Sequence, residues 1–369
     1  MASLISDALQ EQALASLPAT MRAAVYRGVN DVRVETVPVP KIGRGEVLIR
    51  VAACGVCGTD LKKIHTGSHA APRIFGHETA GVIAAMGEGV EGFAVGDRVI
   101  VYHHTPCGHC YYCRKKTFAQ CNDYKRVGCT AGFEPSGGGF AEYVRVMDWI
   151  VRRGLIKIPK GVPFEQAAFV EPVNTVLKGV RRLDLASDET VLVIGQGPIG
   201  ILLAALSART GANVLTSDLY SERHAVASRY GLHHPIDASR EDVVARAHEA
   251  SEGRGADAVI LAVGGNGLIR TAIDAARPGG RVLFFAQTQH GEATFDPAVV
   301  CMDEKTLLGS YSSSFEIEPD VESLVFDGYR SGFDLTPLIS HRFPLEEAVE
   351  AIRVASNPTA ASMKVFVHP

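Results

Sequence analysis

The run TVLVIGQGPIGILLAALSAR, Thr190 to Arg209, narrows the folds open to this chain more than any other stretch. A short apolar, β-branched segment ends at Gly195. Gly195-Gln196-Gly197-Pro198-Ile199-Gly200 follows, and apolar residues at helical spacing begin at once. Glycines placed between a strand and a helix let the backbone approach a pyrophosphate, which then sits at the positive end of that helix. The G-x-G-x-x-G pattern alone is weak; its position carries the reading. The rhythm continues. ANVLTSD reads as a strand and SERHAVASRYG and REDVVARAHEA as helices, then ADAVILAVG as a strand, NGLIRTAIDAA as a helix, RVLFFA as a strand and TLLGSYS as the close. Strands alternating with helices predict a doubly wound parallel sheet over residues 184–314. Asp218 ends the second strand, where a carboxylate accepts hydrogen bonds from both ribose hydroxyls of NAD. Left unpaired, it repels the extra phosphate of NADP. Arg223, five residues on, is a cation that can reach a phosphate, stack on the adenine or pair with a neighbouring acid. The expected cofactor is therefore NAD, cradled by Gly195, Gly197, Pro198, Ile199 and Gly200.

The N-terminal part has another texture. GEVLIRVAACG, AGVIAAMG, GDRVIVY and GFAEYVRV are short strands between Gly-rich turns, which predicts a compact, mostly antiparallel β unit. The tail offers a helix in PLEEAVEAIRVA and a last strand in MKVFVHP that returns to that unit. The chain is thus an α/β protein, and 369 residues suit about two domains. Residues 1–20 place Leu4, Ile5, Leu9, Leu14 and Leu17 near helical spacing and are read as an N-terminal extension, either a packed helix or a frayed tail; they lack the pattern of a secretory signal. The net charge is −4 and the longest basic cluster is Arg114-Lys115-Lys116, so neither nucleic acid nor a membrane surface is an expected partner. No apolar run approaches the ~20 residues of a membrane span.

Of the eight cysteines, Cys107, Cys110, Cys113 and Cys121 fall within fifteen residues, spaced C-x2-C-x2-C-x7-C. Cysteines two residues apart are poor disulfide partners and good thiolate ligands. Four of them make a closed tetrahedral zinc site of the structural kind, with an iron–sulfur cluster as the alternative. A reducing cytoplasm fits this usage. A second set lies in CGVCGTD and FGHETAG: Cys54, Cys57, His77 and Glu78, with Asp60 and Glu171 as further carboxylates. Catalytic zinc takes about three protein ligands and keeps one position open. Spacing does not choose between Cys54 and Cys57.

From Met21 to the C-terminus the chain resembles the zinc-dependent medium-chain dehydrogenases, the superfamily of the alcohol, sorbitol and threonine dehydrogenases. The likeness rests on GVCGTD, GHETAG, GDRV, the four-cysteine lobe, FVEP, VLVIGQGPIG and HRFPLEEAVEA. It implies a GroES-like, β-rich catalytic domain at 21–183 with a structural zinc lobe at 105–125, a Rossmann domain at 184–314 and a C-terminal return at 315–369. It implies Cys57 as the metal cysteine, because that residue precedes Gly-Thr-Asp, and a buried Cys54. His77, Glu78 and Glu171 match residues at the metal in the sorbitol and threonine branches. Thr59 matches the hydroxyl that takes the substrate proton, and Asp60 a carboxylate that orients a ligand. One catalytic and one structural zinc per chain, and a homodimer or homotetramer, follow from the same likeness. The implied reaction is reversible NAD-linked oxidation of a small-molecule secondary alcohol, with a polyol, cyclitol or sugar preferred. L-Threonine or a simple alcohol are the rival substrates, and a noncatalytic dinucleotide-binding protein is the rival of another class. Two departures stand out. Lys62 occupies the place of a relay histidine, with His65 nearby as a substitute, and Ser312 and Ser313 stand where sorbitol dehydrogenases carry an Arg-Tyr pair.

Overall fold

A computed structural model of the protein describes residues 17–288 and 290–369. Leu4, Ile5, Leu9 and Leu14 of the expected N-terminal helix lie outside the described residues. The chain forms two compact units. One holds the chain up to Glu171, Glu318–Pro358 and Lys364–Pro369; the other holds Pro172–Ile317 and Thr359–Met363.

The first unit is built on an eight-stranded sheet around Val47–Gly55, beside an antiparallel hairpin of Thr20–Gly28 and Asp31–Pro38. In VLIRVAACG nearly every side chain is buried and only Arg50 is exposed, which is the signature of a central strand covered on both faces. It pairs antiparallel with Glu78–Met86, Tyr143–Val146 and Lys364–His368. The register sets Gly55 opposite both Glu78 and Phe366. A Cβ on Gly55 would collide with the Glu78 carboxylate and crowd the Lys364 side chain, so the glycine leaves room for the two charged groups to meet. Val47, Ile49, Val51, Ile83, Val99, Phe140, Val144 and Val367 form the core beneath.

The second unit is a six-stranded parallel sheet. Its spatial order is His234–Asp237, Asn213–Asp218, Thr190–Ile194, Ala256–Leu261, Ala276–Phe284 and Thr306–Gly309. By position in the chain this is 3-2-1-4-5-6, and the winding reverses between Thr190–Ile194 and Ala256–Leu261. Dinucleotides bind at such a switch point, beyond the carboxyl ends of the strands. Gly195 turns there with φ +97°, and a side chain on Gly200 would run into the Gly195 carbonyl. The helix Pro198–Ala208 is buried along most of its length, so it has no room to back away.

One strand was not expected from the sequence. His234–Asp237 contains Pro235 and buries only Ile236 fully, so it shows no apolar run. The first compact unit reaches Glu171, inside the helix Val170–Arg181, and the later residues of that helix bond within the second: Lys178 Nζ donates to the Tyr311 carbonyl at 2.7 Å and the Ser314 N–H to Asn174 Oδ1 at 3.0 Å. No helix among the described residues is long and apolar enough to cross a membrane.

Gly200→Ala tests the close approach of turn and helix. The added methyl should cost about 1–3 kcal/mol of stability, the range for overpacking a filled interior, read from urea denaturation of the full chain.

Candidate metal centre and dinucleotide site

Asp60 joins the two motifs that carry the metal candidates. It sits fully buried in the helix Gly58–Thr66. Oδ2 accepts the Cys57 N–H at 3.2 Å, while Oδ1 accepts the Gly76 N–H at 3.3 Å and faces His77 Nδ1 at 3.1 Å. Cys57 caps the helix, its sulfur accepting the Thr59 N–H at 3.5 Å. Thr59 is exposed in the first turn, beside that sulfur. Burial works against a charge on His77, but the negative Asp60 and Cys57 hold its proton well above the usual imidazole range. Burial likewise works against Asp60, yet His77 keeps it below the usual carboxylate range. A dication would take the place of that buried proton among the donors gathered round it.

The ligand atoms of Cys57, His77 and Glu78 lie within 4.8 Å of one another, and so do those of His77, His103 and Glu171. His77 belongs to both sets. Cys57 and Glu171 fall in different sets, joined through it. Cys54 falls in neither. It is buried at the strand end, bonded to the Gly55 carbonyl at 3.7 Å and against Thr79 Oγ1 at 3.5 Å, and burial raises its thiol pKa well above the ordinary range. The geometry thus separates the two cysteines that spacing left equal. Burial pushes Glu171 up to about 7, with His77 and Lys364 pulling it down and Glu78 pushing it further up.

Sequence reasoning missed two groups here. Lys364, at the start of the last strand, places Nζ 2.6 Å from Oε1 and 2.5 Å from Oε2 of the buried Glu78. Burial opposes its charge, but Glu78, Cys57 and Glu171 together raise its pKa. A lysine opening an apolar strand gives no signal of this partner until the strands are aligned. His103, two residues past the strand Arg98–Val101, was hidden in the Tyr102-His103-His104 run. Burial, followed by repulsion between its charged form and His104, His77 and Lys63, pushes its pKa well down and keeps the imidazole neutral. Of the two relay candidates, His65 is engaged elsewhere: Nδ1 meets Asn30 Oδ1 at 2.5 Å and Nε2 meets Ser356 Oγ at 2.8 Å.

Cys107, Cys110, Cys113 and Cys121 converge, with Sγ separations of 3.8 Å for Cys107–Cys113 and 3.5 Å for Cys110–Cys113. These are far from a disulfide bond. They match the ~3.8 Å edge of a tetrahedron whose centre is about 2.3 Å from each sulfur, as in a Zn–thiolate site. Backbone N–H groups of Cys107 and Cys110 point at Cys121 Sγ and Cys107 Sγ, at 3.5 and 3.4 Å, as thiolates require.

In the second unit Gly197 precedes the helix Pro198–Ala208, and no side chain caps that end. Its N–H groups stay available for a pyrophosphate. The expected unpaired Asp218 is not what the structure has. Asp218 is buried and accepts the Gln196 N–H at 2.6 Å and the Tyr220 N–H at 3.0 Å, with Arg223 Nη1 at 3.2 Å. Arg223 also lies over the Tyr220 ring at 4.7 Å. Ser312 and Ser313 follow the last parallel strand, Ser312 with φ +59° and Ser313 buried.

Lys364→Met would leave the Glu78 carboxylate buried without its cation. The expected loss is about 3–5 kcal/mol in denaturant unfolding, with Lys364→Arg recovering part of it.

A family model described as the alcohol dehydrogenase GroES-like domain matches residues 43–160, and one described as zinc-binding dehydrogenase matches residues 198–327. A sorbitol dehydrogenase of Bacillus subtilis is 28% identical over 361 residues, 96% of this chain and 99% of the relative. An L-threonine 3-dehydrogenase of Pyrococcus horikoshii is 34% identical over 333 residues, 86% of this chain and 90% of the relative. The crystal structure of a zinc-binding dehydrogenase from Sinorhizobium meliloti bound to NADP superposes with a TM-score of 0.84 at 30% identity, covering 95% of this chain and all of that one. With both domain models matched and a 34% identical relative spanned almost end to end, the chain belongs to the zinc-dependent medium-chain dehydrogenases.

Proposed function

We propose that this chain oxidises a secondary alcohol reversibly to a ketone with NAD, and that the alcohol is part of a polyol, cyclitol or sugar. The observation that carries the reading is the convergence of Cys57, His77 and Glu78 within 4.8 Å, on a helix cap and a strand end braced by Asp60. Cys57 and His77 would hold a catalytic zinc with the Glu78 and Glu171 carboxylates beside it, and the four-cysteine lobe a structural one. A zinc in the first site supplies a Lewis acid that lowers the pKa of the alcohol, and NAD supplies the hydride acceptor. The protein's own work is positional. Asp60 fixes the ring of His77 through Nδ1 and so leaves Nε2 for the metal. Lys364 balances Glu78, so that the cluster of acids does not drive the metal charge far below that of a Lewis acid. Thr59, exposed beside Cys57, receives the hydroxyl proton. The bare N-terminus of Pro198–Ala208 receives the pyrophosphate.

The sorbitol dehydrogenase relative, matched over 99% of its length, supports the polyol. The 34% identity to a threonine dehydrogenase supports L-threonine as the second reading. Reduced-cofactor absorbance with a panel of polyols, cyclitols, sugars and L-threonine decides between them. The thiol-rich lobe suits a reducing cytoplasm, and the family likeness a homodimer or homotetramer.

Cys57→Ser should lose one of two zinc ions per chain and nearly all turnover, while Cys54→Ser keeps both ions and mainly loses stability; metal analysis of the purified variants checks this. For the cofactor, Asp218→Ala should weaken NAD and relax its discrimination from NADP by about 1–3 kcal/mol, the loss of a charged hydrogen bond. Arg223→Ala should act in the opposite sense, since it removes the nearest cation for a 2′-phosphate. Steady-state kinetics with both dinucleotides measures the two shifts, and a wild-type preference for NADP would overturn the assignment to NAD.

A further inference from the structure

His103 is the group at the metal centre for which the reaction so far has no use. Its ligand-capable nitrogen lies within 4.8 Å of the ligand atoms of His77 and Glu171. The ring is held in place: the His103 carbonyl accepts the Gly128 N–H at 3.0 Å, and the imidazole lies 4.7 Å from the His77 ring and 4.0 Å from that of His104. His104 is itself stacked on Tyr124 at 5.2 Å. A side chain ordered this way loses little freedom when it takes up a ligand. Among the described residues no protein group hydrogen-bonds either of its ring nitrogens, and the residue is only half-buried. An imidazole offers one donor and one acceptor. With a metal and its alcohol oxygen held at His77 and Glu171, the unbonded imidazole beside them would be near enough to bond a second hydroxyl of the same substrate, and in a polyol that hydroxyl is on the adjacent carbon. A site built to bond a hydroxyl rejects an analogue that lacks it, because the site's own polar group is then left unpaired.

We propose that His103 is a specificity-determining residue whose imidazole hydrogen-bonds a second hydroxyl, on the carbon next to the reacting carbinol, so that the site selects vicinal diols over lone secondary alcohols. This rests on the alcohol oxidation proposed above. The hydrogen bond would be present in both the bound and the reacting substrate, so its loss falls on KM more than on kcat.

The test compares wild type with His103→Phe, which keeps a ring and removes both nitrogens, and His103→Gln, which restores a donor and an acceptor. His103→Ala carries the same expectation if the larger ring fails to pack. Each protein is assayed on 2,3-butanediol and on 2-butanol, and its visible spectrum is recorded after the catalytic zinc is replaced by Co2+. The ratio of kcat/KM for the diol over the monoalcohol should fall about tenfold in His103→Phe, mainly through KM, and recover in part in His103→Gln. Metal content and the cobalt bands without alcohol should stay as in wild type. An unchanged ratio in an active protein overturns the role of His103 alone. Cobalt bands that shift in the alcohol-free variants overturn it too, since His103 is then a ligand. A wild type inactive on every alcohol with either dinucleotide overturns the oxidation reading and this inference with it.

Discussion

The carboxylate of Asp60 is the constraint on which the site depends. It bonds the helix cap at Cys57, the Gly76 backbone and the His77 ring together, so two segments about twenty residues apart in sequence share one buried charge. Such a charge is tolerable only when both oxygens are hydrogen-bonded and an opposite charge is close by. Asp60 meets both conditions: three donors surround it, and His77 carries the balancing proton when no metal does. Removing any one of these partners would leave an anion uncompensated in the interior. The positions of Cys57 and His77 are therefore coupled, and neither can drift without the other.

The same logic extends outward from the strand register. Gly55 stands opposite Glu78 on one side and Phe366 on the other, and Lys364 lies two residues before Phe366 on that last strand. Glu78 and Lys364 then meet in the space that Gly55 leaves empty. Asp60 and Glu78 bring negative charge to one buried locus, where the protonated His77 and Lys364 balance it. Cys57 and Glu171 add two further donors for a divalent cation that would take the place of the His77 proton, and Glu171, pushed up to about 7, is the most adaptable member. His103, neutral and unbonded at the rim, differs in kind: it adds polarity without adding charge.

How much of this could be read from the sequence depends on the range of the interaction. The parallel sheet was legible because Val191, Leu192, Val193 and Ile194 form an unbroken buried run ahead of the glycines. The four-cysteine lobe was legible because all its ligands lie within one turn-rich segment. His234–Asp237 was not, since Pro235 and the equally exposed His234 disguise it as a loop. Lys364 and His103 were not, because their roles arise only when residues about 290 and 70 apart in the chain are packed together. Asp218 was half legible: its place at the strand end was clear, but the Arg223 pairing depends on how the next helix turns, which periodicity does not report.

The two metal candidates also differ in what must fold first. The lobe from Cys107 to Cys121 has little apolar packing of its own, and its ligands are close in sequence, so a bound metal would itself order the segment. The Cys57, His77 and Glu78 set is drawn from a helix cap and one strand end that rest on the packed core of the first unit. There the packed core holds the donors in place, so a metal would meet a prepared geometry, which is what an open coordination position requires, since ligands free to collapse round the ion would close it. The buried pairs Asp60–His77 and Glu78–Lys364 keep that geometry from collapsing while it waits: each holds a ligand side chain by a partner outside the metal set, so the stability of the sheet, and not the affinity of the ligands, decides where the alcohol would bind.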